Sequence, residues 1–274
     1  MKTNFIAEIG INHNGSVELA KKLISLSSLA GAQYVKIQKR NPDICVPEHQ
    51  KNKPKSTPWG DMTYLEYKHK IEFNEKQIRE LNDYSNTLGV KFFASVWDLD
   101  SVDVMKKITT IGKIPSALIT NLALCKYARD NFDLLIISTG MSTEEEIEKC
   151  VDVCNPDVIM HSNSTYPSLP ENLNLRYIQH LKEKYPNKEI GYSGHEYSLP
   201  TTYAAVVLGA NWVERHITLD RNMWGSDQKS SVGPAGLFHL LNSIKNIELA
   251  TQYPPGKRIL FEGELSKRKS LRGT

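Results

Sequence analysis

The chain has 274 residues, 40% of them hydrophobic and 24% charged, with a net charge of +3, which suits one large α/β domain or two small ones with a full core. No long basic run occurs before Lys267-Arg268-Lys269, and no apolar run approaches the roughly 20 residues of a membrane helix, so neither nucleic acid nor a bilayer is indicated as a partner. The start, MKTNFIAEIG, lacks the apolar core of a signal peptide, and Cys45, Cys125, Cys150 and Cys154 form no secreted framework, so the cytoplasm is the expected compartment.

Eight short apolar runs recur, bounded by turn signals: Asn4–Ile9, Tyr34–Gln38, Lys91–Ser95, Lys113–Ser116, Leu134–Ser138, Val158–His161, Glu189–Ser193 and Trp212–His216. Helical patterns separate most of them. Ser16 caps SVELAKKLISLSSLAGA, which Gly31 stops; Asn74 opens a helix closed by Gly89; Ser142 caps STEEEIEKCVDVC, with acids in its first turn. Cys150 and Cys154 share one face of that helix and read as buried free thiols. Pro200–Ala210 and Gly236–Thr251 complete the set, and Asn41–Thr63 is the longest irregular stretch. Eight strands alternating with helices in this length predict an α/β fold, a closed parallel (β/α)8 TIM barrel, with residues 1–274 as one domain. No G-x-G-x-x-G follows the first strand, which counts against a dinucleotide fold.

Nearly every strand ends in a polar residue: Glu8, Lys36 and Gln38, Ser95, Lys113 and Ser116, Ser138, Ser164 and Tyr166 just past the sixth, Ser193 and His195, Glu214 and His216. Polar groups are costly among a barrel's apolar layers, but its carboxyl-terminal mouth is where they form an active site. Two lysines and several hydroxyls suit an anion such as a phosphate or carboxylate. The Ser138-Thr139-Gly140-Met141-Ser142 turn could bind a phosphate oxygen or simply cap a helix. Glu8 reads as an acid or base, or as a salt bridge to Lys36. His195 and His216 follow neighbouring strands and could hold a divalent metal, with Asp227 as an oxygen ligand or base; the alternative is two buried histidines bonded to backbone.

Several segments resemble, in order, the N-acetylneuraminate (sialic acid) synthase family: FIAEIGINHNG at 5–15, VKIQ at 35–38, KIPS at 113–116 with Thr120-Asn121-Leu122, IISTGM at 136–141, HSNSTYP at 161–167, YSGH at 192–195, ERHIT at 214–218 and GSDQKSS at 225–231. The resemblance covers about residues 5–245. It implies an enzyme that condenses phosphoenolpyruvate with an open-chain sugar aldehyde, releases phosphate and makes a 3-deoxy-2-keto sugar acid. Carried over by motif, Lys36, Lys113, Ser116, Ser138, Ser164 and Ser193 hold phosphoenolpyruvate. His195 and His216 hold a divalent metal, manganese as a rule, with magnesium or cobalt as alternatives. Glu8 sits beside the reacting carbons, and Gln38, Tyr166 and Asp227 face the sugar. A homodimer is expected.

The pattern is broken in places. Gly194 replaces the acid of Y-S-D-H, so a partner behind the histidine is expected to be missing, and Ser226 replaces a frequent proline. The chain ends at Thr274, where many relatives continue into an antifreeze-like domain; residues 252–274 read as a tail resembling the linker before it. Lys39, Arg40 and the Asn41–Thr63 loop, with Trp59 and Tyr64, are the expected substitutes at the sugar end. Rival readings are a synthase for a phosphorylated sugar, a Schiff-base aldolase or lyase using Lys36 or Lys113, and a non-catalytic sugar-binding barrel.

Overall fold

Alternation along the strands decides the architecture. In β1 (Asn4–Gly10), Phe5, Ala7 and Ile9 pack outward with the helices, while Ile6 belongs to a separate apolar cluster inside the barrel with Glu8 two residues on. The computed structural model describes residues 2–253, 256 and 258–273. The remaining strands are β2 (Tyr34–Lys39), β3 (Pro54–Thr57), β4 (Gly60–Thr63), β5 (Lys91–Val96), β6 (Ile111–Ile114), β7 (Leu134–Ser138), β8 (Val158–Ser162), β9 (Glu189–Gly194) and β10 (Trp212–His216). Eight of them close a parallel barrel in the order β1-β10-β9-β8-β7-β6-β5-β2, and β3 and β4 pair apart as an antiparallel hairpin. This is the expected (β/α)8 barrel. Glu8 on β1 is in register with Lys36 on β2 and His216 on β10, so the seam joins the two ends of the barrel sequence.

The interior cluster fills the amino-terminal half of the barrel: Ile6, Tyr34, Phe93, Ile111, Ile136, Val158, Met160 and Trp212. Two residues further along several of these strands the same inward face turns polar, giving Glu8, Lys36, Ser95, Lys113, Ser138, Ser162 and Glu214. Period-two geometry therefore stacks a layer of charge and hydroxyl on an apolar plug.

Local chemistry explains the element ends. Ser16 caps Val17–Ala30, which stops at Gly31 with φ of 95°. Asn74 and Gln77 form a capping box on Glu75–Thr87. The helix Glu144–Cys154 is capped by Thr143 rather than Ser142, because Thr143 exchanges two hydrogen bonds with Glu146 while Ser142 donates to the Gly140 carbonyl. Cys150 and Cys154 are buried free thiols, as expected. The fourth barrel strand ends at Ile114, not Ser116: Pro115 lacks an N–H, and Ser116 opens a 3-10 turn. Pro200–Val207 and Pro234–Ala250 form the last two helices of the barrel units.

Asn41–Thr63 is not irregular. It holds the short helices Pro42–Cys45 and Glu48–Lys51 and then the β3–β4 hairpin, which leads through Thr63, the N-cap, into the helix Tyr64–Ile71. Past the barrel, Glu262–Arg272 forms an exposed helix; of the 252–274 tail, residues 254, 255, 257 and 274 lie outside the described residues.

Candidate active site

A cavity of about 270 Å³ opens at the carboxyl-terminal mouth of the barrel. It is lined by Glu8, Lys36, Gln38, Lys113, Ser116, Ser138, Ser164, Tyr166, Ser193, His195 and His216, all singled out from the sequence. Ser95 and Glu214, also named at strand ends, line it too, with Trp97, Met141 and Ser162.

The two lysines are held as a charged network. Lys36 Nζ donates to Ser95 Oγ at 2.7 Å and lies 2.8 Å from Glu8 Oε2, an ion pair off the line of a hydrogen bond. Lys113 Nζ donates to Glu214 Oε1 at 2.8 Å; Ser193 Oγ donates to the same oxygen at 3.1 Å, and Lys36 Nζ stands 3.7 Å from it. Burial alone would strip a proton from either lysine. At Lys36 the carboxylates of Glu214 and Glu8 outweigh burial and hold the pKa above the ordinary lysine value. At Lys113 burial prevails: Glu214 opposes it, Lys36 adds repulsion, and the pKa falls to about 8. Burial would raise the Glu214 carboxyl, but Lys113 and Lys36 overcome it and bring it to about 2.

Beside this network sits a ring of hydroxyls. Ser116 Oγ accepts from the Gly140 amide at 3.0 Å. A side chain at Gly140 would place its Cβ 2.2 Å from Ser164 Oγ and 3.0 Å from Ser116 Oγ, so only glycine lets the backbone come this close. Ser138 Oγ, Ser162 Oγ and Glu214 Oε2 are buried with no hydrogen-bond partner. Buried polar atoms are nearly always paired, so several orphans around one cavity mark a place where a polar ligand completes the bonding. Two ammonium groups and these hydroxyls suit an anion with several oxygens.

The histidines face each other with ring centroids 5.6 Å apart. His195 Nδ1 lies 2.6 Å from the Asn163 carbonyl oxygen, which requires Nδ1 to carry the proton and leaves a lone pair on Nε2. Tyr166 OH stands 2.8 Å from that Nε2. Burial, with His216 beside it, lowers the His195 pKa to about 3, so the ring is neutral. Neither ring nitrogen of His216 makes a hydrogen bond; its Nδ1 is buried and 3.9 Å from Asp227 Oδ2. The two imidazoles, one oriented through Nδ1 by a backbone carbonyl and the other with a buried Nδ1 that has no hydrogen-bond partner, could hold a divalent metal. The other reading, two histidines bonded to backbone, describes His195 alone. His13 is structural: its ring stacks on Phe73 at 4.1 Å, and its Nδ1 accepts from the Gly15 amide.

Three residues assigned to the sugar end stand elsewhere. Lys39 does not line the cavity. It follows Gln38 on β2 and so points outward, where its ammonium is bound by Glu72 at 3.1 Å and the Phe73 carbonyl at 2.9 Å. Arg40 lies behind the cavity, stacked 4.6 Å from the Trp97 ring and donating to the Gln38 side-chain oxygen. Asp227 sits at the rim, beside His216 but outside the lining.

The sequence marks Glu214 only as a strand-end polar residue; the structure adds its role, on the same face of β10 as His216 and within reach of both lysines. Glu196 is not singled out by the sequence at all. The space vacated at Gly194 is taken by Glu196, which bonds no histidine among the described residues; the partner behind His195 is the Asn163 carbonyl. A Cβ at position 194 would lie 2.6 Å from Glu196 Oε2. That carboxylate accepts from Tyr192 at 3.0 Å, Thr201 at 2.7 Å and the fully buried Arg215 at 3.1 Å. Glu196 thereby ties the end of β9 to the outer face of β10.

The chain is similar to known proteins along most of its length. A model of the NeuB family matches residues 23–254. The N,N'-diacetyllegionaminic acid synthase of Campylobacter jejuni is 36% identical over 259 residues, 91% of this chain and 77% of that protein. The N-acetylneuraminate-9-phosphate synthase of Drosophila melanogaster is also 36% identical, over 93% of this chain and 70% of its own. The crystal structure of an N-acetylneuraminic acid (sialic acid) synthetase from Leptospira borgpetersenii superposes with a TM-score of 0.87 at 29% identity, covering 100% of this chain and 94% of that one. The chain belongs to the NeuB family and is an enzyme of the sialic acid synthase type.

Proposed function

We propose that this enzyme condenses phosphoenolpyruvate with an open-chain sugar aldehyde, releasing phosphate and forming a 3-deoxy-2-keto sugar acid of the sialic acid type. The observation that carries the reading is the pairing, in one cavity, of an anion site made by Lys36, Lys113 and under-bonded serines with two facing histidines. Relatives named for legionaminic, pseudaminic and N-acetylneuraminic acid products support the class of reaction.

Lys36 and Lys113 balance the negative charge of phosphoenolpyruvate, and Ser116, Ser138, Ser164 and Ser193 direct hydrogen bonds to its oxygens. The methylene carbon attacks the aldehyde carbon, and positive charge develops at the carbon bearing the phosphate. Glu8 stands at the seam of the barrel beside Lys36 and stabilises that charge. Water adds there, and the tetrahedral adduct collapses to the ketone as phosphate leaves. Gln38 and Tyr166 orient the sugar from the mouth, with Asp227 at the rim. His195 and His216 would hold a divalent metal, manganese first among candidates, which when bound would supply Lewis-acid polarisation of the aldehyde oxygen.

Lys113, with its pKa near 8, is also the natural nucleophile for a Schiff-base lyase. Its ammonium is nevertheless held by Glu214, and the histidine pair has no task in that chemistry. Incubation with phosphoenolpyruvate and a panel of aldehyde sugars separates the two: phosphate release that needs both substrates supports the synthase. Borohydride trapping of a keto acid on the protein, without phosphate release, overturns it. We infer a homodimer in the cytoplasm as its setting, which size-exclusion chromatography with light scattering tests for the assembly.

A further inference from the structure

A second cavity, of about 500 Å³, lies beside the first, between the β3–β4 hairpin with the helix Tyr64–Ile71 and the segment 222–229. Tyr64, Tyr67 and Trp224 form its walls, and Lys55, Lys68 and Lys229 are its charged lining residues; no carboxylate lines it. Lys55 Nζ stands 5.6 Å from the Tyr67 ring and 5.7 Å from the Trp224 ring. Lys68 is the informative residue. It is 9% exposed, its ammonium lies 5.1 Å from the Tyr64 ring and 5.3 Å from the Tyr67 ring, and it has no hydrogen bond or ion pair. A buried lysine without a carboxylate is expensive for a fold to keep.

Two contacts join this cavity to the active site. Ser226 lines the second cavity, and its neighbour Asp227 approaches His216 of the first. On the other side, Arg40 faces Lys68 electrostatically and donates to Gln38, which lines the first. A substrate whose aldehyde end meets His195 and His216 would therefore send its far end past Asp227 toward the lysines. Flat aromatic walls suit the apolar faces of a sugar chain, and three cations in a lining that holds no carboxylate suit an anion, although Asp227 and Glu72 act on Lys68 from outside the lining.

We propose that this second cavity is the subsite for an anionic group, a phosphate ester or a carboxylate, carried at the far end of the sugar co-substrate. The proposal rests on the synthase reading for the sugar's identity as a substrate. It commits the cavity itself to an anion whether or not that reading holds. Burial, with Arg40 adding repulsion, lowers the Lys68 pKa to about 8, and a bound anion would restore the full charge.

The test compares a neutral 2-acetamido hexose, its 6-phosphate and the corresponding uronic acid as co-substrates with phosphoenolpyruvate, phosphate release being the readout. The expected result is a kcat/KM for one charged sugar about ten-fold or more above that of the neutral one, with Lys68→Met bringing the two level and Lys68→Arg keeping most of the preference. The better charged sugar identifies ester or carboxylate. Equal or better use of the neutral sugar by the wild type overturns the subsite and leaves the synthase reading standing. If no sugar supports phosphate release, the synthase reading falls, and calorimetric binding of the hexose 6-phosphate decides the subsite alone: weakening by Lys68→Met or by the hairpin variant Lys55→Met upholds it, and absence of binding to wild type removes it.

Discussion

Lys113 Nζ lies 2.8 Å from Glu214 Oε1, although the two residues are 101 positions apart and their strands face each other across the barrel. One carboxylate oxygen thus anchors Lys113, takes the Ser193 hydroxyl and stands near Lys36. Glu214→Gln removes the charge that keeps Lys113 protonated. The alkaline limb of kcat/KM for phosphoenolpyruvate should move to lower pH by about one unit, on the usual scale of a lost close charge. An unchanged limb would show that Lys113 does not depend on Glu214.

In the wild type, that limb should begin near pH 8, where the free enzyme loses the Lys113 proton. Stability should run the other way. The folded pKa lies below the unfolded lysine value of about 10.4, so the unfolded chain binds more protons between the two. The group's contribution is fully present above about pH 10.4 and is lost as pH falls through about 8. Urea midpoints at pH 7.5 and 9.5 measure it: Lys113→Met should abolish this part of the rise.

His195→Ala or His216→Ala should remove most activity together with the divalent metal proposed to bind there, since no other histidine lines the cavity. Metal analysis of dialysed protein and activity after chelation check this. Full turnover in chelator-treated wild type would sink the assignment.

Glu8→Gln should leave phosphoenolpyruvate binding nearly intact and lower kcat by about two orders of magnitude, the scale of one lost electrostatic or acid–base partner. Single-turnover kinetics separates the two effects. A mutant turning over at the wild-type rate refutes the role.

Lys39→Ala should leave the sugar KM within about two-fold, because Lys39 is engaged by Glu72 and Phe73 on the outer side of β2. Arg40→Ala should raise that KM by about ten-fold through Gln38, whose amide it orients. Equal effects of the two substitutions would contradict this geometry.

Those two residues also show what was legible in the chain. Lys36 and Gln38 are two apart and face the cavity; Lys39 breaks the period and faces out, so strict alternation would have excluded it. The same rule sets Glu214 beside His216, but its contact with Lys113 joins strands on opposite sides of the barrel and could not be read from either segment. The barrel itself was readable because every unit repeats an apolar run with a polar end. Glu196 was not readable from its neighbours: its role depends on the vacated side-chain volume at Gly194 and on Arg215, a contact between the ends of two strands. The hairpin in Asn41–Thr63 was obscured because its strands are four residues each and carry no apolar alternation.

Glu8 and His216 are partners in register across the seam of the barrel. During synthesis, Glu8 leaves the ribosome some two hundred residues before the strand that completes its surroundings. Until β10 arrives, β1 has an open edge and Lys36 and Lys113 lack the shared carboxylate of Glu214. No chain shorter than the full set of strands can then assemble the charged layer, so a nascent molecule is silent rather than partly active. The long loop that closes last also makes assembly slow, and the unfinished edge is where a holding chaperone would be needed.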